Sequence, residues 1–231
     1  MADTIVRLFD RPADALRAVD RLKAMDINES DISIVANNRE GWYDDKGIHH
    51  DRLAGSRDGM KRDGMKDDDL DGKDDRVEGA GKGATTGGLI GGGAGLLAGL
   101  GMLAIPGLGP VVAAGWLAST AAGAAVGAAT GGIVGGIVGA LTHEGVDKKD
   151  AEVYAENIRR GGAVVIVRSH ENQRREIETA LSDYSSADAG VRGDYYRSSG
   201  WDGYDAAAPD FDLTEIEAER ARAAAYRPMP R

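Results

Sequence analysis

Apolar and polar positions along this chain follow three rhythms, and each predicts a different kind of element. "TIVRLF" (4–9) is a β-branched and aromatic run of strand type, and "DISIVA" (31–36) is a second. Between them Leu16, Val19 and Leu22 recur at helical spacing, with Pro12 placed in a first turn and Asp10 as the expected N-cap. The same order returns near the other end. Asp147 precedes a helical stripe of Ala151, Tyr154, Ala155 and Ile158, and Gly161-Gly162 ends it. "AVVIVR" (163–168) reads as a strand, Ile177, Leu181 and Tyr184 share a helix face, and a weak last strand is expected within 187–192. Two β-α-β halves of this kind predict an α+β fold, a ferredoxin-like sandwich of four antiparallel strands with helices on one face. Neither half buries its apolar face alone, so residues 1–38 and 146–192 are expected to form one domain around a long insertion.

The insertion has two parts. Residues 39–78 are charged, contain "DGMK" twice and lack aliphatic periodicity, which predicts a disordered acidic linker. Residues 83–142 carry no charge, and here the rhythm steps by four. Gly83, Gly87, Gly91, Gly95 and Gly99 form one ladder; Gly115, Ser119, Gly123, Gly127, Gly131, Gly135 and Gly139 form another. Glycine costs a helix interior ~1 kcal/mol relative to alanine. Residues four apart share a face, so a bare stripe of this kind is expected to let another helix approach backbone to backbone. With "IPGLGP" (105–110) as the turn, residues 79–145 are predicted to be a glycine-zipper helical hairpin with arms of about 84–105 and 111–142.

Two settings satisfy such a hairpin. Each arm offers roughly the ~20 apolar residues of a membrane span. The hairpin is therefore expected to insert in or associate with membrane lipid and to self-associate with other copies; Lys82, Lys148 and Lys149 at its ends favour a cytoplasmic α/β domain on the cytoplasmic membrane. The alternative is a cytoplasmic homo-oligomeric scaffold with the hairpin as its buried core. Trp116 is either an interfacial anchor or a packing residue.

Composition narrows the chemistry. The net charge of −10 over 231 residues gives no basic footprint, so no nucleic-acid partner is expected. With no cysteine, thiolate catalysis and cysteine-held zinc are excluded. The N-terminal stretch shows no basic region followed by an apolar one, so no secretory signal is expected. Asp67, Asp69, Asp71 and Glu78 match the spacing of an EF-hand calcium loop, a weak metal candidate because no amphipathic helix precedes it and Asp74 takes an aliphatic place. His49, His50 and Asp51 read as polar filler more readily than as metal ligands. "GAGKGATTGG" lacks the Lys-Ser/Thr ending of a phosphate-binding loop. No nucleophile–base–acid set converges, so neither an enzyme nor a cofactor is expected. The tail, 193–231, is aromatic and acidic; it is expected to be flexible, with a short helix capped by Thr214 and Glu217 and a possible protein partner.

The stretches "TIVRLFDRPADALRAVDRLKAMDINESDISIVANN", "GATTGGLIGGGAGLLAGLGMLAIPGLGPVVAAGW" and "YAENIRRGGAVVIVRSHENQRREIETAL" together resemble the general stress protein 17M-like (heat-induced stress protein YflT-like) domain family. The resemblance covers roughly 4–38 and 79–190. It implies a bacterial stress-associated protein with no established catalytic activity, and it carries over no functional residues.

Overall fold

A computed structural model describes residues 3–44, 47–49, 52, 100–105, 108–118, 137–169, 172–205 and 207–226. The elements follow in chain order. They are β1 (Asp3–Phe9), α1 (Pro12–Ala24), β2 (Ile32–Asn37), β3 (Tyr43–Asp44), β4 (Gly47–Ile48), β5 (Gly101–Ile105) and β6 (Gly109–Ala114), then α2 (Ile137–His143), α3 (Lys148–Arg159), β7 (Ala163–Ser169), α4 (Arg174–Ser182), α5 (Ala189–Ser198) and α6 (Leu213–Ala225). The fold is mixed α+β around an antiparallel sheet of order β1-β7-β2-β6-β5.

The sheet takes β1 and β2 from the first expected half and β7 from the second. β1 and β2, joined by α1, run parallel with β7 between them, antiparallel to both. β2 and β7 are short continuous apolar runs, and they are buried on both faces, as such runs predict. One face packs Ile5, Phe9, Ile32, Ile34 and Val165 against α1 (Leu16, Val19, Leu22) and α4 (Ile177, Leu181). The other packs Val6, Leu8, Val35, Val164 and Ile166 against α2, α3 and α5, so the sheet has five strands and helices on both faces, where four strands and one covered face were expected. The helix stripes of α1 and α3 are therefore those the spacing predicts.

Several expectations are corrected. Asp10 is not the cap of α1: Arg11 holds that place in an extended conformation with no side-chain cap, and Pro12 opens the helix. The expected strand over 187–192 shrinks to a single bridge, Ala187 with Leu8, after which Asp188 caps α5 through the Val191 N–H. The acidic linker does not begin at 39. Trp42 is fully buried and donates its indole N–H to the Asn37 carbonyl at 2.7 Å, and β3 pairs with β4. One tryptophan in an otherwise polar stretch supplies enough apolar area to hold the chain down.

The helical hairpin is corrected at its turn. Residues 101–105 and 111–114, expected as helix ends, and 109–110, expected as turn, form β5 and β6, with Gly101 opposite Ala113 and Ile105 opposite Gly109. Beyond β2 an unpaired row of backbone donors and acceptors needed a partner, and Val111–Ala114 supply it along Ile34–Asn37. Helical spacing in a local window is overridden by that long-range ladder. The turn itself is sealed: Leu108 is buried, its carbonyl accepts from the Asn37 amide, and Gly109 at φ +74° lies beneath Asp210, which is ion-paired with Arg39. Among the described residues no helix is long and apolar enough to cross a membrane.

The tail is corrected as well. α5 buries Tyr195 and Tyr196, and α6 buries Ile216 beside Gly161. The capping box of α6 is Asp212 with Glu215, two residues before the expected Thr214–Glu217 pair; each side chain accepts from the other's backbone N–H at 2.8 Å.

Candidate functional site

The structure brings the roots of the two glycine ladders together at one end of the sheet. Gly101 pairs with Ala113, so Leu100, which follows the first ladder, adjoins Ala114, which precedes the second. Both roots are fixed by specific contacts. Leu100 is buried, and its carbonyl accepts from the Tyr43 hydroxyl at 2.7 Å. The Asn38 amide bonds the Tyr43 carbonyl at 2.8 Å and reaches the Met102 sulfur at 3.5 Å, while Met102 itself is 52% exposed. On the second root, Gly115 turns the chain at φ +85°; a Cβ there would lie 2.2 Å from the Ile32 carbonyl oxygen and 2.6 Å from Ser33 Oγ. Ser33 Oγ then accepts from the Leu117 N–H at 3.1 Å, and Leu117 is fully buried. Trp116 packs against the core, with the Arg168 guanidinium 3.8 Å above its ring and Glu144 bonded to Arg168 at 2.7 Å.

Of the ladder positions, Gly115 and Gly139 lie among the described residues. Gly115 permits a close approach, as expected of a bare position, but to the β2 backbone and not to another helix. Gly139 is half-buried in α2, which packs on α3. Gly83, Gly87, Gly91, Gly95, Gly99, Ser119, Gly123, Gly127, Gly131 and Gly135 lie outside the described residues, as do the calcium-loop candidates Asp67, Asp69, Asp71 and Glu78. His49 meets the Asp44 carboxylate at 2.8 Å, and His50 and Asp51 lie outside the described residues. No group of three potential metal ligands occurs among the described residues.

A second cluster was not foreseen. At the end of α3, the carboxylate of Glu156 is 1% exposed and is gripped by Arg159 (2.5 and 2.8 Å) and Arg160 (2.6 Å). Arg160 also bonds Glu219 at 3.0 Å and stacks 4.1 Å over Tyr196. Arg220 forks onto Glu40 with two bonds of 2.8 Å and donates to the carbonyls of Asp10 and Gly161. Arg192 meets Asp10 at 2.6 Å; burial pushes the Asp10 carboxyl up from its ordinary value, against the pull of Arg192 and Arg220. The space these groups enclose is about 10 Å³, at the threshold for one water and far below a ligand site. The cluster ties α3, α5 and α6 together. Its sequence signal was faint, because i,i+3 and i,i+4 charge pairs such as Glu156 with Arg159 and Arg160 usually mark a solvated helix face.

No family model, no curated protein and no solved structure matches the chain.

Proposed function

We propose that the chain is a non-enzymatic, general-stress-associated bacterial protein that acts by self-association through its two glycine-laddered stretches, displayed from a cytoplasmic α+β body. The observation that carries this reading is the pairing of Gly101 with Ala113, which sets the base of one ladder against the base of the other. Bare stripes rooted side by side are positioned for close backbone packing, within one chain or between copies. The body reads as ferredoxin-like in the finer sense. β1-β7-β2 is the split β-α-β core of that topology, α4 follows β7, and the chain returns beside β1 at Ala187, where its fourth strand belongs.

The anchoring also bears on the membrane. The chain lies on the body at Arg52, bonded to Gly41, and again at the buried Leu100, with residues 53–99 between them. It lies on the body at the buried Leu117 and the half-buried Ala118 and again at the buried Ile137, with residues 119–136 between them. A stretch that starts and ends on one body must cross a bilayer an even number of times, and each crossing takes ~20 apolar residues. Residues 119–136 are too few for two crossings, and 53–99 include the charged run before Gly83. This supports assembly in the cytoplasm or along a membrane surface over a spanning hairpin.

The test is sedimentation velocity of the full chain and of a Gly91→Leu/Gly127→Leu variant, with vesicle flotation in parallel. Self-association in the parent, lost in the variant at unchanged helix content, is the expected result. A monomeric parent at ~100 µM, where a specific micromolar assembly would be populated, overturns the reading, as does unchanged assembly in the variant. Quantitative flotation that resists carbonate would return the membrane hairpin to first place.

A further inference from the structure

A cleft of about 450 Å³ runs along the outer edge of β1 and has no part in the ladder junction. Its floor is Thr4, Ile5, Val6 and Arg7. β1 is an edge strand, and among the described residues its outer side is bridged at Leu8, whose N–H and C=O bond Ala187 at 3.0 and 2.9 Å. Antiparallel ladders alternate, so the residues two and four before Leu8 turn the same way. Val6 and Thr4 therefore aim their N–H and C=O into the cleft, while Ile5, Arg7 and Phe9 serve β7. The walls rise on both sheet faces: α3 with the turn before it and the start of α5 on one, α4 on the other. A slot flanked on both faces along an open strand edge has the shape of one added strand.

Its charge selects the occupant. Glu144, Asp147, Asp150, Glu178 and Asp188 line it with Arg7 and Arg174; Glu144 is bonded to Arg168 at 2.7 Å and Glu178 to Arg174 at 3.0 Å, which leaves Asp147, Asp150 and Asp188 as its acidic centre. Asp150 has its carboxyl pushed above its ordinary value, first by burial and then by the carboxylates of Asp147 and Asp188, with Arg197 pulling the other way. A cation placed among these three carboxylates would relieve that repulsion.

We propose that this slot binds an extended, lysine- or arginine-bearing segment of a partner protein, which joins the sheet as a strand outside β1 through the backbone groups of Thr4 and Val6. Strand addition supplies affinity through main-chain hydrogen bonds, and the acidic walls supply the preference for basic side chains.

The test titrates the full chain with three labelled octapeptides, read by fluorescence anisotropy: alternating Lys and Val, alternating Glu and Val, and the Lys–Val peptide N-methylated along one edge. The Lys–Val peptide is expected to bind, more weakly at high salt. The Glu–Val peptide is expected not to bind, and the N-methylated one to lose about tenfold or more through two missing backbone bonds. Asp150→Asn should weaken the Lys–Val peptide by about threefold. Thr4→Pro removes one outward donor at an edge position that tolerates proline, and should weaken binding at an unchanged melting temperature. Equal binding of the Glu–Val or the N-methylated peptide overturns the proposal, and so does no binding of the Lys–Val peptide at ~1 mM, the weak limit for such contacts. A gain in affinity when 57–66 are replaced by Gly-Ser repeats would overturn the partner assignment, since this chain's own Arg57, Lys61, Arg62 and Lys66 would then be the occupant. Loss of self-association in the Gly91→Leu/Gly127→Leu variant is a separate readout and leaves this one untouched.

Discussion

Replacing Gly115 by alanine separates a close approach to the β2 backbone from a place in an exposed helix by the sign of the effect. In a helix with nothing against it, Gly115→Ala would stabilise by ~1 kcal/mol. At φ +85° an L residue costs about 1–2 kcal/mol instead. The new Cβ would lie 2.2 Å from the Ile32 carbonyl oxygen and 2.8 Å from the Ser33 Cα, backbone atoms held by the β2–β7 ladder. Forcing that pair apart adds about 1–3 kcal/mol, as overpacking does. The stiffer unfolded chain returns ~0.4–1 kcal/mol. The net is a loss of about 1–5 kcal/mol, centred near 3, or about 2–20 °C in melting temperature for a chain of this size. Gly145→Ala is the control, because φ is +87° and nothing lies within 4 Å of its Cβ; it should cost ~1 kcal/mol, the conformational part alone. Urea denaturation of both variants, followed by tryptophan fluorescence, gives the comparison. If Gly115→Ala costs no more than Gly145→Ala, or stabilises, the close approach of the β6 turn to β2 is wrong, and with it the placement of the second ladder's root.

Glu156→Gln should destabilise the body by about 3 kcal/mol, the low end for breaking a buried ion pair, because Arg160 keeps Glu219 and the Tyr196 ring; a urea midpoint unchanged from the parent would show that the cluster is not a buried tie. Alkaline pH should loosen the same region. The Tyr204 hydroxyl is pushed up to about 12, mainly by burial and next by the Glu156 carboxylate, against Arg159. Burial raises Tyr154 and Tyr196 in the same direction. The unfolded chain gives up these protons near the ordinary value of 10.0. Their stabilising contribution is therefore complete below pH 10 and lost as pH climbs toward 12. Urea midpoints should fall across that window, and Tyr204→Phe should flatten the fall; equal slopes would contradict the burial of Tyr204.

Much of the body was legible in the residues. The strands at 4–9, 31–36 and 163–168 and the stripes of α1, α3 and α4 are local patterns, and a period of 2 or 3.6 survives into the fold when one face is buried. The candidate site was legible only in part. The four-residue steps marked Gly115 as a place where backbones meet, yet the partner is β2, some eighty positions earlier in the chain. Nothing within 101–114 distinguishes a strand that finishes a sheet from the ends of two helices, because the deciding contacts come from Ile34–Asn37. Trp42 and the Glu156 cluster were missed for the same reason.

The amino-acid sequence by itself determined the α/β halves, their union around an insertion and the two bare ladders, since all three rest on spacing and composition. Only tertiary structure decided that the strands flanking the hairpin turn belong to the sheet, that the tail closes over α3, and that β1 lies at the sheet edge beneath acidic walls. Those outcomes depend on which backbone groups and charges remain unpaired once the core has formed, a property of the assembled sheet and not of any stretch of it.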